Sequence, residues 1–348
     1  MDAFNQVHRL IQQGLEQSAY PSAALAIGIG QTVYFKRSYG NCTVRTLFDM
    51  ASVTKILSPT ILALRFLEDG MLRLYDCVGD FFPDVPADKK NITILQLMTH
   101  TSGIPSHFYL SNHTTNPEDA AKVILNHPLD QPPGTSPNYS CMGYILLGKI
   151  LEQIGGAPLD VLARNYIFNP LGMHHTGYHP SGDIAPTEMD PATGKPLQGV
   201  VHDENARFLG GVSANAGIFS DLDDMIIFTK MLACNGKLDD GSAYLSPATL
   251  RAALVNRTPD SKGEFRGLGF NLAGSPKNFL GDLMGPRTYG HTGFTGTSIA
   301  VDPDTGLWVV LLTNRVCPTR ANTTLVRMRS LVHNAAAAEC SRLQSKHI

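Results

Sequence analysis

Two pairs of short apolar segments, at opposite ends of the 348-residue chain, restrict its fold most strongly. Residues 23–29 and 32–35 have the composition of two strands around the turn residues Gly30 and Gln31, as in a hairpin. Residues 297–301 and 307–313 flank the sequence Asp-Pro-Asp-Thr-Gly, whose residues are typical of turns. Helical patterns lie between the two pairs, so we predict one antiparallel sheet built from both termini.

The rest of the chain is mostly helical in pattern. Residues 4–17 carry apolar side chains at helical spacing and predict an amphipathic helix. Further helices are predicted at 55–69, 93–99, 117–126, 140–154, 157–166 and 319–344, and loops at 181–194 and 259–263. We expect an α+β fold of three layers, α/β/α, in which helices flank the sheet. A single domain over 1–348 would comprise an α/β lobe (1–70 plus 200–348) and an inserted, mainly helical lobe (71–199).

Composition and charge limit the classes of function that the chain can have. Hydrophobic residues make up 43% of the chain and charged residues 17%, which fits a large core. The net charge is -2 and the Lys and Arg residues are scattered, so a nucleic-acid partner is not expected. No stretch approaches the roughly 20 apolar residues that span a bilayer, so no transmembrane segment is expected.

The spacing of the cysteines and the first residues of the chain indicate the cellular compartment in which the protein is expected. The six cysteines, at 42, 77, 141, 234, 317 and 340, form no Cys-x-x-Cys pair, so we expect reduced, mostly buried thiols. The start of the chain lacks the basic residues and apolar run of a signal peptide. We therefore expect a cytoplasmic protein, or an exported one if a signal has been removed ahead of it.

Ser52 and Lys55 are the first candidate catalytic residues. Residues three apart lie on one face of a helix, so the lysine amine can take the proton of the serine hydroxyl. Apolar residues surround the pair, and Pro59 is expected in the first turns of the helix, where its missing N–H is tolerated. A buried lysine of this kind is expected to have a lowered pKa.

Two further segments carry candidate chemistry. Tyr139 lies where a Pro- and Gly-rich loop enters a helix, and a nearby cation can lower the pKa of a tyrosine so that it transfers protons. Residues 290–297, Gly-His-Thr-Gly-Phe-Thr-Gly-Thr, lead into the second hairpin, where exposed backbone N–H groups can form part of an oxyanion hole.

Together, Ser-x-x-Lys at 52–55, Tyr139 and His-Thr-Gly at 291–293 follow the order found in penicillin-recognising serine hydrolases. The chain resembles the class C β-lactamase-like family, which includes D-alanyl-D-alanine carboxypeptidases, D-aminopeptidases and family VIII esterases. Residues 97–105, 144–148 and 209–220 add to a resemblance that runs from about 20 to 335. Residues 199–206 resemble a branch near penicillin-binding protein 4B-like hydrolases, some of which cut the muramic acid–L-alanine bond.

The resemblance implies a serine hydrolase that acts by acyl transfer on an amide or ester. Ser52 would form an acyl-enzyme, Lys55 and Tyr139 would share the proton transfers, and the N–H groups of Ser52 and Phe294 would hold the oxyanion. No cofactor or metal is implied. The expected substrate is a small molecule or peptide, foremost a peptidoglycan-derived peptide cleaved as by a D-Ala carboxypeptidase or a muramoyl amidase.

Two positions depart from the family pattern. Cys141 stands where the family usually has asparagine, and a thiol is a weak hydrogen-bonding group, so we expect weak β-lactam hydrolysis. A packing or specificity role for Cys141 is favoured over a nucleophilic one. His291 replaces a lysine and, with Thr292 and Gly293, is expected to bind substrate. Since histidine titrates near neutral pH, its hold on a carboxylate should depend on pH, which suits esterases and amidases.

Two rival functions stay open. One is a family VIII-like carboxylesterase of broad acyl specificity. The other is a catalytically silent, penicillin-binding-like protein that binds a ligand or self-assembles, although intact Ser52, Lys55 and Tyr139 argue against it. The sequence leaves the oligomeric state open.

Other polar clusters are given structural interpretations. His174, His175 and His179 match no strong metal-ligand spacing and are expected in a surface loop. His202, with its acidic neighbours, is expected near the rim of the cleft, and His100 is expected to brace a loop under the active site.

Overall fold

A computed structural model describes residues 4–275 and 279–345, so both ends of the predicted domain lie outside the described residues. Within them, six strands form one antiparallel sheet in the order β2-β1-β8-β7-β6-β5, and β3 pairs with β4 in a separate short ladder. The strands are β1 (Ser22–Ile29), β2 (Thr32–Gly40), β3 (Phe48–Asp49), β4 (Phe219–Ser220), β5 (Asn271–Leu272), β6 (Tyr289–Thr292), β7 (Ser298–Val301) and β8 (Leu307–Thr313).

Helices and short helical turns are distributed through the rest of the described chain. The α-helices are α1 (Asn5–Glu16), α2 (Ile61–Glu68), α3 (Val78–Phe81), α4 (Ile94–Met98), α5 (Ala120–Asn126), α6 (Cys141–Gly155), α7 (Leu159–Ala163), α8 (Asn169–Leu171), α9 (Glu204–Phe208), α10 (Leu222–Ala233), α11 (Pro247–Ala253) and α12 (Thr324–Gln344). Short 3₁₀ turns occur at Ala51–Val53, Leu110–Asn112 and Pro117–Asp119, and π turns at Ile56–Thr60 and Arg164–Phe168.

The two ends of the chain meet in the sheet, as predicted. Strand β1 pairs with β8 along its length, from Ala23 opposite Thr313 to Ile29 opposite Leu307. Successive side chains of a strand point to opposite faces, so Ala24 and Ala26 enter one hydrophobic core while Leu25 and Ile27 enter the other. Helices α1 and α12 pack on one face and α10 on the other, which confirms the three-layer α+β fold.

Several element bounds differ from the predictions. Strand β2 continues to Gly40, five residues beyond the predicted end, as an edge strand whose exposed side chains include Lys36 and Arg37. Charged residues are common on edge strands, because they prevent pairing with another chain. The last helix begins at Thr324 rather than at 319. The preceding loop is held by Arg315, whose guanidinium donates to the carbonyls of Arg320 and Asn322.

The predicted helix at 55–69 is not uniform. A 3₁₀ turn and a π turn precede the α-helical part, and Pro59 lies inside the π turn rather than in the first turn of an α-helix. The 12-residue helix α10 was not predicted, although Asp221 caps it by accepting a hydrogen bond from the Asp224 N–H. Asp at the N-cap is a recognised helix start signal.

All six cysteines lie in the described part of the chain and are free thiols, as expected. The prediction that most are buried is wrong, because five are partly exposed and Cys340 is the buried one. Among residues 4–275 and 279–345, none of the helices has the length and apolarity needed to cross a membrane.

Candidate active site

Ser52 lies on a tight turn at the end of β3. The preceding Ala51 has a left-handed backbone, with φ of 45°, and donates its N–H to the Asp49 carboxylate at 2.8 Å. A positive φ at alanine is strained, and such strain concentrates at functional sites. The 3₁₀ turn Ala51–Val53 follows at once. Helical residues continue through Lys55, and residues three apart lie on one face of a helix, so the Lys55 side chain comes next to Ser52.

Lys55 is fully buried under the serine. Its Nζ lies 3.2 Å from Ser52 Oγ, 2.9 Å from the Asn215 carbonyl oxygen and 3.5 Å from Cys141 Sγ. Burial opposes a charge on the amine, but the Cys141 thiol and the Tyr139 phenol, through the negative charge that they can carry, raise the pKa of Lys55 above its ordinary value. The expected lowering is therefore wrong.

The loop that carries Tyr139 is fixed from below by His100. The His100 ring accepts the Ser140 N–H at 3.0 Å and lies against the Tyr139 ring, with centroids 4.4 Å apart. Ser140 caps helix α6 and also donates its hydroxyl to the Pro105 carbonyl. This confirms that His100 braces a loop under the site.

Tyr139 turns its ring toward Lys55, whose Nζ lies 4.9 Å from the ring centroid. Its buried hydroxyl has no hydrogen bond of good geometry to any described residue, although Ser52 and Lys55 are close enough to influence its ionisation. Burial raises the pKa of Tyr139, and the charge of Lys55 only partly opposes this. The sequence-based expectation of a net lowering is wrong, so the phenol is protonated at rest.

The Gly-rich segment packs directly on the Ser52 turn. Thr297 donates its hydroxyl to the Met50 carbonyl at 3.1 Å, and Thr295 donates to the Asp49 carbonyl at 2.6 Å. A Cβ on Gly293 would lie 2.5 Å from the Met50 oxygen and 2.2 Å from Thr297 Oγ1. Only glycine allows this approach, which places the segment that follows β6 against Asp49 and Met50, just before the Ser52 turn.

The predicted oxyanion hole has free donors. Among the described residues, neither the Ser52 N–H nor the Phe294 N–H donates to a protein acceptor. Both residues line one cavity of about 410 Å³, together with Tyr139, His291, Thr292 and Gly293. Six of the predicted site residues therefore share one cavity. Lys55 does not line it but contacts Ser52 Oγ and Cys141 Sγ.

His291 differs from its prediction. Its Nδ1 lies 2.9 Å from the Thr292 carbonyl, while its buried Nε2 has no described partner. Burial, together with the charges of Arg266 and Lys55, lowers the pKa of His291 to about 3. The expected pH-dependent charge near neutrality is wrong, because the ring is neutral throughout that range.

Cys141 is the first residue of α6 and has Lys55, rather than a histidine, as its polar side-chain neighbour. Its own N–H donates to the Ser106 carbonyl at 2.9 Å. The thiol is partly buried and packs against the main hydrophobic core.

Sequence reasoning missed several residues of the site. Asn215 positions Lys55 through its carbonyl, and its Oδ1 accepts the Ser213 hydroxyl at 2.6 Å. Its segment was noted only as part of a family resemblance. Arg266, Arg315 and Arg329 line the Ser52 cavity but come from three separate segments of the chain, the last from α12, so no local pattern could indicate them.

Two other clusters are structural. His175 lies near Asp221 and Asp224, with ligand atoms within 4.8 Å of one another. The Arg45 guanidinium approaches both His175 Nδ1, at 3.0 Å, and Asp221, at 3.6 Å, so a protein cation already compensates the acids.

His202 is buried and bonds to Glu188 at 3.0 Å, and its ring stacks under Phe294 with centroids 5.7 Å apart. It therefore supports the predicted oxyanion residue from the interior.

Comparisons with known proteins agree with this geometry. A model of the family described as Beta-lactamase matches residues 7–332. The N-acetylmuramyl-L-alanine amidase of Bacillus subtilis (strain 168) is 31% identical, over 88% of this chain and 80% of that protein. A relative in Escherichia coli (strain K12) that bears the name D-alanyl-D-alanine carboxypeptidase is 28% identical, over 90% of this chain and 83% of its own length.

Among solved structures, EstCE1, described as a hydrolase with promiscuous acyltransferase activity, has a TM-score of 0.79 at 21% identity and covers 95% of this chain and 97% of its own. The fold, the Ser-x-x-Lys turn and these matches define a serine hydrolase. The chain belongs to the Beta-lactamase family.

Proposed function

We propose that Ser52 is the nucleophile of this hydrolase and that it cleaves an amide or ester bond through an acyl-enzyme. The observation that carries the proposal is the contact between Lys55 Nζ and Ser52 Oγ, at 3.2 Å in a buried site. A base within hydrogen-bonding distance activates a serine hydroxyl.

The reaction follows from the positions of the neighbouring groups. Ser52 Oγ attacks the carbonyl carbon while its proton passes to the Lys55–Tyr139 pair. The N–H groups of Ser52 and Phe294 stabilise the oxyanion, each donor being worth about 2.7–4 kcal/mol of barrier. The pair then protonates the leaving nitrogen or oxygen as its bond to the carbonyl carbon breaks. Water, activated with the help of Tyr139, releases the acyl group.

Peptides derived from peptidoglycan are the first substrates to test, because the names of the amidase and carboxypeptidase relatives refer to such bonds. The second candidate is a carboxylesterase, which the neutral His291 favours because it offers no fixed charge to a substrate. Turnover of p-nitrophenyl esters without turnover of muropeptides would select the esterase.

The nucleophile is tested by incubation with a fluorophosphonate or a fluorescent penicillin, followed by intact mass. We expect one adduct in the wild type and none in Ser52→Ala. Ser58→Ala is a matched control, because Ser58 is a buried serine two turns further along the same segment. Equal labelling of wild type and Ser52→Ala would reject Ser52, and the absence of any adduct would favour the catalytically silent protein.

A further inference from the structure

Arg266 is a buried arginine that lines the Ser52 cavity and is only partly paired. It is 4% exposed, and its Nε and Nη2 donate to the Glu264 carboxylate. Its third nitrogen, Nη1, is buried and has no hydrogen-bond partner among residues 4–275 and 279–345. Buried charged groups are normally paired and fully hydrogen-bonded, so an unsatisfied N–H beside a reaction centre indicates a functional constraint.

The backbone fixes Arg266 before any substrate binds. Its N–H donates to Thr258 Oγ1 at 2.9 Å, and its carbonyl accepts the Arg257 N–H at 2.8 Å. Three residues further on, the Gly269 N–H donates to the Met98 carbonyl at 3.0 Å. The segment that carries Arg266 is therefore attached to the protein on both sides of this residue.

The guanidinium of Arg266 lies over the ring of Tyr139. Its central carbon is 5.2 Å from the ring centroid, and Lys55 Nζ is 4.9 Å from the same centroid. Both distances fall within the ~6 Å at which an aromatic ring attracts a cation. Two cations thus face one phenol, and the attraction grows when the phenol becomes a phenolate with a full negative charge.

The charge of Arg266 also acts on the neighbours of Tyr139. After burial, it is the next cause that lowers the pKa of His100 and the pKa of His291. The rings of these histidines lie 4.4 Å and 6.1 Å from the Tyr139 ring, centroid to centroid. Because a Coulomb interaction declines smoothly with distance, the same charge reaches the phenol between them.

No other described cation besides Lys55 has this position. The titratable or charged side chains around Tyr139, within the described ranges, are Lys55, His100, Cys141, Tyr144, His291 and Arg266. Both histidines are uncharged at neutral pH. The positive charge beside the phenol therefore comes from Lys55 and Arg266.

We propose that Arg266 is a positioning residue that acts on the reaction through Tyr139, by stabilising the phenolate form of this tyrosine. When the Tyr139 O–H bond breaks and the proton joins the leaving nitrogen or oxygen, the phenolate holds the negative charge until it takes a proton from the attacking water. The fixed guanidinium lowers the energy of that charged state. Glu264 opposes this only in part, because its side chain is 38% exposed and solvent screens its charge. The inference rests on the proposed Ser52 reaction.

Fluorine NMR of 3,5-difluorotyrosine incorporated at position 139 measures this ionisation directly, since its phenol is more acidic than that of tyrosine and its chemical shift reports the phenolate. Arg266→Gln should move the titration midpoint upward by about one unit, the low end of the effect of an opposite charge at about 4–6 Å. Arg266→Lys should move it much less, because the charge remains. Glu264→Gln should move it downward, because the counter-charge is removed.

The rate of Ser52 labelling by a fluorescent penicillin connects this titration to the reaction, because the leaving nitrogen must be protonated. With natural tyrosine at position 139, Arg266→Gln should reduce the rate about tenfold, which is one pKa unit. The same substitution should cost about twofold at most in Tyr139→Phe, since the phenol through which the charge acts is absent. Arg257→Gln is the matched control, because Arg257 is an exposed arginine of the same loop, outside the cavity.

An unchanged titration in Arg266→Gln, or an equal shift in Arg266→Lys, would overturn the role of the charge whatever happens to activity. A shifted titration with an unchanged labelling rate would overturn its part in the reaction. If Arg266→Gln does not fold, Glu264→Gln decides the same point, and the absence of a downward shift would overturn the inference. Labelling that survives in Ser52→Ala would instead reject the proposed function, and it would leave the titration of Tyr139 unaffected.

Discussion

The amine of Lys55 lies 3.5 Å from the sulfur of Cys141, at the position where the family usually carries an asparagine. A thiol donates and accepts hydrogen bonds weakly, whereas an asparagine amide does both well. The strong partners of Lys55 are therefore Ser52 and the Asn215 carbonyl, and an acyl-side amide of a substrate gains little from Cys141.

Replacing Cys141 with asparagine should accelerate acylation by β-lactams about two- to tenfold, the value of one added hydrogen bond. The rate of Ser52 labelling by a fluorescent penicillin measures this. Cys234→Asn is the control, because Cys234 is a partly exposed thiol at the end of α10, outside the cavity. An unchanged rate in Cys141→Asn would remove the explanation given for this position.

Activity should rise with pH from neutrality into the alkaline range. The pKa values of Lys55 and Tyr139 both lie above their ordinary values of 10.5 and 10.0. The base form of the pair is therefore scarce at pH 7 and grows as pH increases. The profile of kcat/KM from pH 5 to 10, corrected with Ser52→Ala for spontaneous hydrolysis, checks this. A plateau reached below pH 7 would contradict it.

His291→Gln should leave the shape of that pH profile unchanged between pH 5 and 8. The pKa of His291 lies near 3, so the ring has no proton to lose in this range and an uncharged amide replaces an uncharged ring. A several-fold loss of kcat/KM is expected from the altered packing. If the substitution removed an ionisation near pH 6 from the profile, His291 would have to carry a proton below that pH in the wild type, which would contradict the prediction.

Gly293→Ala should reduce both stability and activity. The added Cβ would meet the Met50 carbonyl and Thr297 Oγ1, and overpacking of this kind costs about 1–3 kcal/mol of unfolding free energy. Relief of the clash would displace the Ser52 turn, so kcat/KM should also fall, by more than tenfold. Denaturant unfolding and ester turnover measure the two effects.

Gly177→Ala serves as the comparison for that substitution, because a Cβ at Gly177 would meet no atom within 4 Å. Similar effects of the two alanines would show that the close approach at Gly293 has no special role.

Local patterns predicted the elements whose formation depends on nearby residues. The hairpin strands at both ends, α1 and the start of α6 follow from periodicity, turn residues and capping. The π turn around Pro59 was not predicted, and all five of its residues are buried, so its surroundings come from distant segments that a local pattern does not include. The division into lobes 1–70 plus 200–348 and 71–199 stays a prediction.

In the active site, too, features set by neighbouring residues were predictable and features set by distant segments were not. Ser52 and Lys55 are close in sequence, so their proximity was predictable from helix geometry. The charge states were not, since the pKa values of Lys55, Tyr139 and His291 depend on burial and on groups from distant segments. Arg329 follows the same logic, because nothing in the sequence of α12 indicates which arginine is buried.

The hydrogen bonds from Thr295 and Thr297 to the Ser52 turn join residues 246 and 247 positions apart in the chain. During translation the serine therefore leaves the ribosome long before the groups that set its backbone. A nascent chain that stops short of β6 lacks the sheet strands β6, β7 and β8 and the Phe294 oxyanion donor as well. Hydrolytic competence then arises only near the end of synthesis, and truncated products are expected to be inert toward acyl substrates in the cell.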